Sequence, residues 1–453
     1  MSRQHSDNWS TQIGTVFDIR PRVAVNDISR WMERKEEKKL RSAIVRPGMH
    51  VCLYGPSGSG KTSLAKTILA RLKAKGEKFI FVRLNHSSTW RSFKSQIVEN
   101  RQAKAAAEKV FGVKIGIKNL LPYLEFEGEA GGGALGRQVS RAEVVEALDI
   151  HQISQFLIDN QLMLVIDDVN FVDNDLLLKL TTLAREISDN SEDSRSKIVF
   201  VGADDIFLRI LELNNSLRDR VEDISLGSVR ENDDKPSIIA SDRVWKFISD
   251  GLVILGLQDP RKDKRISKEQ LRDCVKWINH AADGLPKSIV RLGQKIAENG
   301  ERRSRISHSD IVSSAEQMTK LNFKQFRSKY RTLVHNIKDD EILQEVCLWI
   351  FKNGASKVYS LDELAEDLHN IGTYSLFETA LKTLSEKEFI VITGSNKEVF
   401  FAKDPLLAHT IGVALVEPDK CGVDRDFFGG EAGVTQMLLR FAGEKDPENR
   451  SVI

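Results

Sequence analysis

No metal-ligand spacing, no disulfide framework and no long apolar run occurs in this sequence of 453 residues. Its four cysteines, Cys52, Cys274, Cys347 and Cys421, lie far apart, so neither a zinc cluster nor a cysteine-stapled fold is expected. Three of them sit among apolar neighbours and are expected to be buried thiols. The nine histidines are scattered, and no nuclease, protease or deaminase grouping of His, Cys and acid is visible. No stretch is apolar over the length needed to cross a bilayer, so no membrane contact is expected. The opening, MSRQHSDNWSTQIGTVFDIRP, lacks a basic-then-apolar leader pattern. It points to a cytoplasmic protein with a polar, disordered lead over residues 1–19. A net charge of +2 supplies no overall field for an acidic partner, so nucleic acid would have to be met by local basic patches.

What is present is a globular composition, 41% hydrophobic and 29% charged, in a chain long enough for about three domains. Residues 55–62 read GPSGSGKT. They follow the apolar run HVCLY and precede TSLAKTILARLKAK, where Leu64, Ile68, Leu69 and Leu72 fall near helical spacing before Lys75 and Gly76 end the pattern. A strand, a glycine loop and a helix in that order aim backbone N–H groups and a helix N-terminus at phosphate. Gly55, Pro56, Ser57, Gly58, Ser59, Gly60, Lys61, Thr62 and Ser63 therefore make a candidate ATP site. In it the glycines permit close approach, Lys61 reaches the β and γ phosphates, and the Thr62 hydroxyl can ligate Mg²⁺.

Two further apolar runs end in polar residues. KFIFVRLN closes at Asn85, and LMLVIDD delivers Asp167, a candidate Mg²⁺-associated carboxylate, and Asp168, a candidate base that orients or deprotonates the attacking water. A fourth run, SKIVFVGADD, is followed by SLRDRV.

Together with the later GLPKSIVRL, these motifs resemble the AAA+ ATPases, nearest to the branch that holds the origin-recognition ATPases and the related STAND signalling ATPases. The resemblance spans about residues 20–320 and implies a parallel P-loop sheet with a helical lid. It also implies residue roles. Asp204 corresponds to the first sensor, Arg220 to an arginine finger with Arg218 as alternate, and Asn85 to a polar switch residue that restrains the catalytic acid. Lys287 stands where a second sensor arginine follows proline, with Arg291 one helical turn on. Lysine departs from the family's pattern and lacks the planar fork of arginine.

An ATPase core over 20–232 holds an inserted segment, about 101–142, in which alternating apolar residues and a glycine tract fit a hairpin that contacts a partner or merely lies on the surface. NDDKPS reads as a linker. Helical patterns over 240–316 resemble the AAA+ lid. Residues 317–339 read as a basic linker helix. From 320 to 338, Lys320, Lys324, Arg327, Lys329, Arg331 and Lys338 occur without an acid, interleaved with Phe323, Phe326 and Tyr330. Such a stretch either grips nucleic acid by phosphate contact and stacking or is an amphipathic helix with its aromatics turned inward. Residues 340–415 look like a winged helix-turn-helix domain. Its third helix with flanks, 372–388, is net negative by one, so protein docking is expected there more than DNA contact. The tail, 416–453, carries no functional signal. The whole implies an ATP- and Mg²⁺-dependent switch that hydrolyses slowly and assembles with like subunits or a separate effector protein, in a bacterial defence or mobile-element setting. A DNA-clamping initiator or loader is the alternative.

Overall fold

The computed structural model describes residues 3–18, 36–99, 145–190, 195–203, 205–226, 243–282, 285–300, 305–353, 358–393 and 399–422. The inserted segment at 101–142, the NDDKPS linker and Asp204 lie outside these. The four apolar runs form strands β1 (His50–Tyr54), β2 (Lys78–Arg83), β3 (Leu162–Asp167) and β4 (Lys197–Gly202). A fifth, β5 (Val221–Ser225), begins at the last residue of SLRDRV. All pairs are parallel, in the order β2-β3-β4-β1-β5. The middles of β1 to β4 are apolar without interruption because both faces are covered, whereas β5, at the sheet edge, carries Glu222 and Asp223. Cys52, Ile80, Leu164 and Phe200 face one core, with helices α4 (Trp90–Glu99), α5 (Ile150–Asp159), α6 (Asn174–Asn190) and α7 (Ile206–Leu213). Val51, Leu53, Val165 and Val199 face the other, with α2 (Glu36–Val45) and α3 (Lys61–Lys73). This is the α/β architecture expected of a P-loop NTPase, and each crossover returns the chain so that all strand C-termini share one edge.

At the opposite edge sits His50, 1% exposed. Its Nδ1 accepts the Ile198 N–H at 2.9 Å, which leaves the proton on Nε2, 2.7 Å from the Ala184 carbonyl. Burial lowers its pKa to about 4 from an ordinary 6.5. The folded state therefore holds it neutral, and protonation favours unfolding. Its stabilising contribution is complete above pH 6.5 and is lost as pH falls towards 4, in all about 3 kcal/mol. Thermal melts should show a falling midpoint across that window, and His50→Gln should flatten the slope while lowering stability at neutral pH. A slope unchanged by the substitution would assign the acid sensitivity to other groups.

Beyond the sheet, α8 (Arg243–Ile254), α9 (Lys268–Ala282), α10 (Pro286–Asn299) and α11 (His308–Lys329) pack on a separate core around Trp245 and Ile289. The expected disordered lead is instead helix α1 (Arg3–Val16). Its end buries Ile13, Val16 and Phe17 in this core. Phe17 fits because two helices expose bare backbone to it: a Cβ at Gly251 or Gly293 would lie 2.4 Å from the ring. Gln294 Nε2 donates to the Phe17 carbonyl at 2.6 Å. Burying such a ring stabilises by roughly 1.5–3 kcal/mol. A polar sequence around one aromatic conceals such an anchor.

The division between a lid ending at 316 and a linker helix starting at 317 does not appear. α11 runs straight through it and stops at Tyr330, where α12 (Arg331–Asp339) begins. Then follow α13 (Glu341–Asn353), β6 (Val358–Ser360), α14 (Leu361–Asp367), α15 (Tyr374–Glu386), β7 (Ile390–Thr393) and β8 (Val399–Ala402), with an antiparallel sheet ordered β6-β8-β7. β7 and β8 pair antiparallel, and β6 pairs antiparallel with the other side of β8. The last helix of the region, α16 (Pro405–Val416), is apolar on nearly every side and packs against α9, α11 and α13. Order continues past 416: Glu417 pairs with Lys276 at 2.9 Å, and Lys420 sits 4.6 Å from the Trp277 ring centre. The four-helix unit and the C-terminal unit are therefore joined by a shared apolar helix and by ion contacts.

Candidate functional site

The loop after β1 turns tightly because Gly55 adopts φ 150° and a Cβ there would meet the Leu226 carbonyl oxygen at 2.2 Å. Leu226, just past β5, is itself fixed by donating its N–H to the Tyr54 carbonyl at 2.7 Å. Pro56 and Ser59 are buried, Ser57 is exposed, and Ser63 is half-buried in the first turn of α3. Gly60 caps that helix without a side-chain acceptor, so the first amides stay available to an anion. Lys61 Nζ curls back onto the carbonyls of Gly55 at 2.7 Å and Pro56 at 2.8 Å. The ammonium is thus held inside the loop, where phosphate oxygens can replace those carbonyls.

Behind the loop, Thr62 Oγ1 donates to Asp167 Oδ1 at 3.0 Å. Asp167 is 1% exposed, and its Oδ2 has no hydrogen-bond partner among the described residues. Burial first, and then the neighbouring Asp168, push its carboxyl above the usual range. A buried, orphaned carboxylate oxygen beside a hydroxyl at a phosphate loop is the donor set a hard divalent cation takes, so the residues fit Mg²⁺.

Asp168 follows in the left-handed conformation, φ 61°, which turns its side chain away from the strand. There Arg83 Nε donates to Asp168 Oδ2 at 2.7 Å, and this bond raises the arginine's pKa further. Asn85 does not make that contact. Its Oδ1 accepts from the Ser87 N–H at 2.9 Å and from the Ser87 and Ser88 hydroxyls, closing its own turn. Arg83 was missed because its neighbour is set by register: Arg83 pairs with Asp167 across β2 and β3, and strand order is not written in the local sequence.

The lid meets the loop at Lys287. Its backbone N–H donates to the Gly58 carbonyl at 3.3 Å, and its side-chain stem lies 3.1 Å from where a Cβ on Gly58 would stand. Two helix N-termini, of α3 and α10, therefore converge on one loop, and both favour negative charge. Lys287 and Arg291 are both exposed and share a face at i,i+4 spacing. Arg220 lies elsewhere. It precedes β5, its carbonyl accepts from His50 N at 2.8 Å, and its guanidinium pairs with Asp189 on α6. Arg218 is exposed nearby. With β1 and β5 parallel, this is the edge away from the loop, about 15 Å off by strand rise alone. All four cysteines are buried, and burial pushes Cys274 and Cys421 up to about 12, so none is a reactive thiol.

Residues 45–210 match the family model of an AAA domain. Among solved structures the chain is similar to a Walker-type ATPase of Pyrococcus abyssi, at 15% identity and a TM-score of 0.50, over 87% of this chain and 99% of that one. It is also similar to the ORC2 protein of Aeropyrum pernix, solved as ADPNP–ADP complexes, at 13% identity and a TM-score of 0.44 over 95% and 98%. Cdc6p of Pyrobaculum aerophilum gives 16% identity and a TM-score of 0.39 over 94% and 98%. Identities this low speak for the fold alone, and the two scores under 0.5 add nothing to it. A search of curated proteins returned no match. The sheet, loop and matched segment define a P-loop NTPase fold of the AAA+ type. Among the described residues no helix is long and apolar enough to cross a membrane.

Proposed function

We propose that the chain binds ATP with Mg²⁺ at residues 55–63, hydrolyses it slowly, and uses the nucleotide state to assemble with like subunits or a partner protein. The observation that carries this reading is the Thr62–Asp167 bond, with the second Asp167 oxygen left over behind a phosphate loop. Thr62 and Asp167 would hold the cation, which neutralises charge on the phosphates. Lys61 binds the β and γ oxygens. Asp168 orients the water once it leaves Arg83, which otherwise parks it. Lys287 and Arg291 approach the phosphates from the lid, and Asp204 is assigned to the first-sensor place by resemblance. Arg220 is too far from its own loop, so it acts on a neighbour's nucleotide.

The exposed bases Lys324 and Arg331 favour a second reading, a DNA-clamping initiator with a winged helix at 340–415. Phe323, Phe326 and Tyr330 are buried, which removes base stacking from the grip and leaves only phosphate contact. The defence or mobile-element setting rests on resemblance to the STAND-related branch.

Asp167→Asn tests the metal assignment. The variant should bind ATP in EDTA as the wild type does, while the gain in affinity on adding Mg²⁺ falls by about tenfold or more. Fluorescent-nucleotide titrations with and without Mg²⁺ measure this. An unchanged Mg²⁺ effect would remove Asp167 from the site.

A further inference from the structure

Charge in the C-terminal half is segregated in a way that the ATPase reading does not use. Residues 361–388, covering α14 and α15, hold seven carboxylates against Lys382 and Lys387, which leaves five net negative charges. Asp362, Glu366, Glu378 and Glu386 are exposed, and none pairs with a base of its own chain among the described residues. Residues 317–338 hold six bases and no acid. Lys320, Lys324, Arg327 and Arg331 recur at spacings of four, three and four, which places them along one exposed face of α11 and the start of α12. Each surface also shows apolar side chains to water. Tyr374 and Leu376 are each 47% exposed at the start of α15, and Leu321 is 52% exposed beside Lys320 and Lys324.

The two surfaces cannot be treated as loose arms. Phe326 and Tyr330, on the inner side of the basic helix, pack edge-on against Phe389, which follows α15, at 5.9 and 5.7 Å between ring centres. One apolar cluster carries both, so their relative orientation is fixed. An acidic recognition-type helix repels phosphate, and the basic stripe has its aromatics turned inward. Opposite charges and apolar anchors on rigid, separate patches are what a head-to-tail contact between copies requires.

We propose that the acidic face of α14 and α15 docks on the basic stripe of α11 in a second copy of this chain, with Tyr374 and Leu376 meeting the region of Leu321. The proposal rests on the reading of the chain as an assembling ATPase, and it names the surfaces that assemble. The contact is heterologous, so it propagates into a ring or a filament. Because Lys287 ties the lid to the loop and α16 ties the lid to the C-terminal unit, nucleotide should change the strength of association.

Sedimentation velocity of the full chain, at low and high salt and with and without ATP, provides the test. Lys324→Glu with Arg331→Glu, and separately Glu366→Lys with Glu378→Lys, should each weaken self-association by about tenfold or more. Mixing the two reversed chains should restore association, because each then offers the other two complementary faces. A monomeric wild type under all conditions, or a mixture that stays dissociated, overturns the proposal. So does a basic-side reversal that abolishes binding of a DNA duplex while self-association persists, which would make the stripe a nucleic-acid surface. Nucleotide binding in the same variants separates the readings: if the wild type binds no ATP, the ATPase reading fails while the charge-swap result still decides the contact.

Discussion

Lys61→Ala is expected to abolish detectable nucleotide binding, while Asp168→Asn binds ATP as the wild type does and hydrolyses it slower by a factor on the order of 10²–10⁴. The two side chains act at different stages. Lys61 is held inside the loop by the Gly55 and Pro56 carbonyls, so its ammonium meets the phosphates in the ground state and its loss removes binding directly. Asp168 is turned away from the strand by its left-handed backbone and engaged by Arg83, so it has no phosphate to hold in the resting state. Its asparagine variant keeps the shape and loses only the capacity to orient or deprotonate water. Calorimetric titration with ATP and Mg²⁺ measures the first quantity, and phosphate release at saturating ATP the second. Equal loss of binding in both variants would make Asp168 a metal ligand instead of the base.

Arg220→Ala should bind ATP normally and hydrolyse it poorly, because a guanidinium brought to the γ-phosphate matters chiefly as charge develops in the transition state. Its position at the far edge of the sheet means that the deficit arises between subunits. Wild-type activity should then rise with protein concentration. Mixing Arg220→Ala with Lys61→Ala should return part of the lost rate, since one chain keeps an intact loop and the other an intact arginine. In the isolated chain the side chain rests on Asp189, whose carboxyl it holds below the usual range. A neighbour's phosphate must outcompete that exposed pair. If the mixture stays inactive although light scattering shows mixed oligomers, Arg220 is an ordinary surface arginine held by Asp189.

The parts of the molecule set by neighbours in sequence were legible before the structure. GPSGSGKT between an apolar run and a helical pattern specifies strand, loop and helix, because glycine conformation and apolar period are local properties. The four apolar runs were legible for the same reason: a strand covered on both faces is apolar through its middle. What depends on long-range placement was not. Arg83 meets Asp168 only because β2 and β3 are adjacent in register. Phe17 gains its role from Gly251 and Gly293, more than 230 positions away, which have no pattern in common with it. β5 was hidden because VEDIS sets two adjacent acids between its two apolar residues, and its place in the sheet comes from pairing with β1. In α11 the aromatics between bases admitted two opposite orientations, and Phe389 and the C-terminal core decide for the inward one.

The most direct measurement of the central claim is phosphate release from ATP with Mg²⁺ by the purified wild-type chain, run beside Lys61→Ala prepared identically. The account predicts slow, Mg²⁺-dependent release that saturates with ATP in the wild type and background release in the variant. Equal rates in the two preparations, or a wild type that neither binds ATP at millimolar concentration nor releases phosphate, would contradict it.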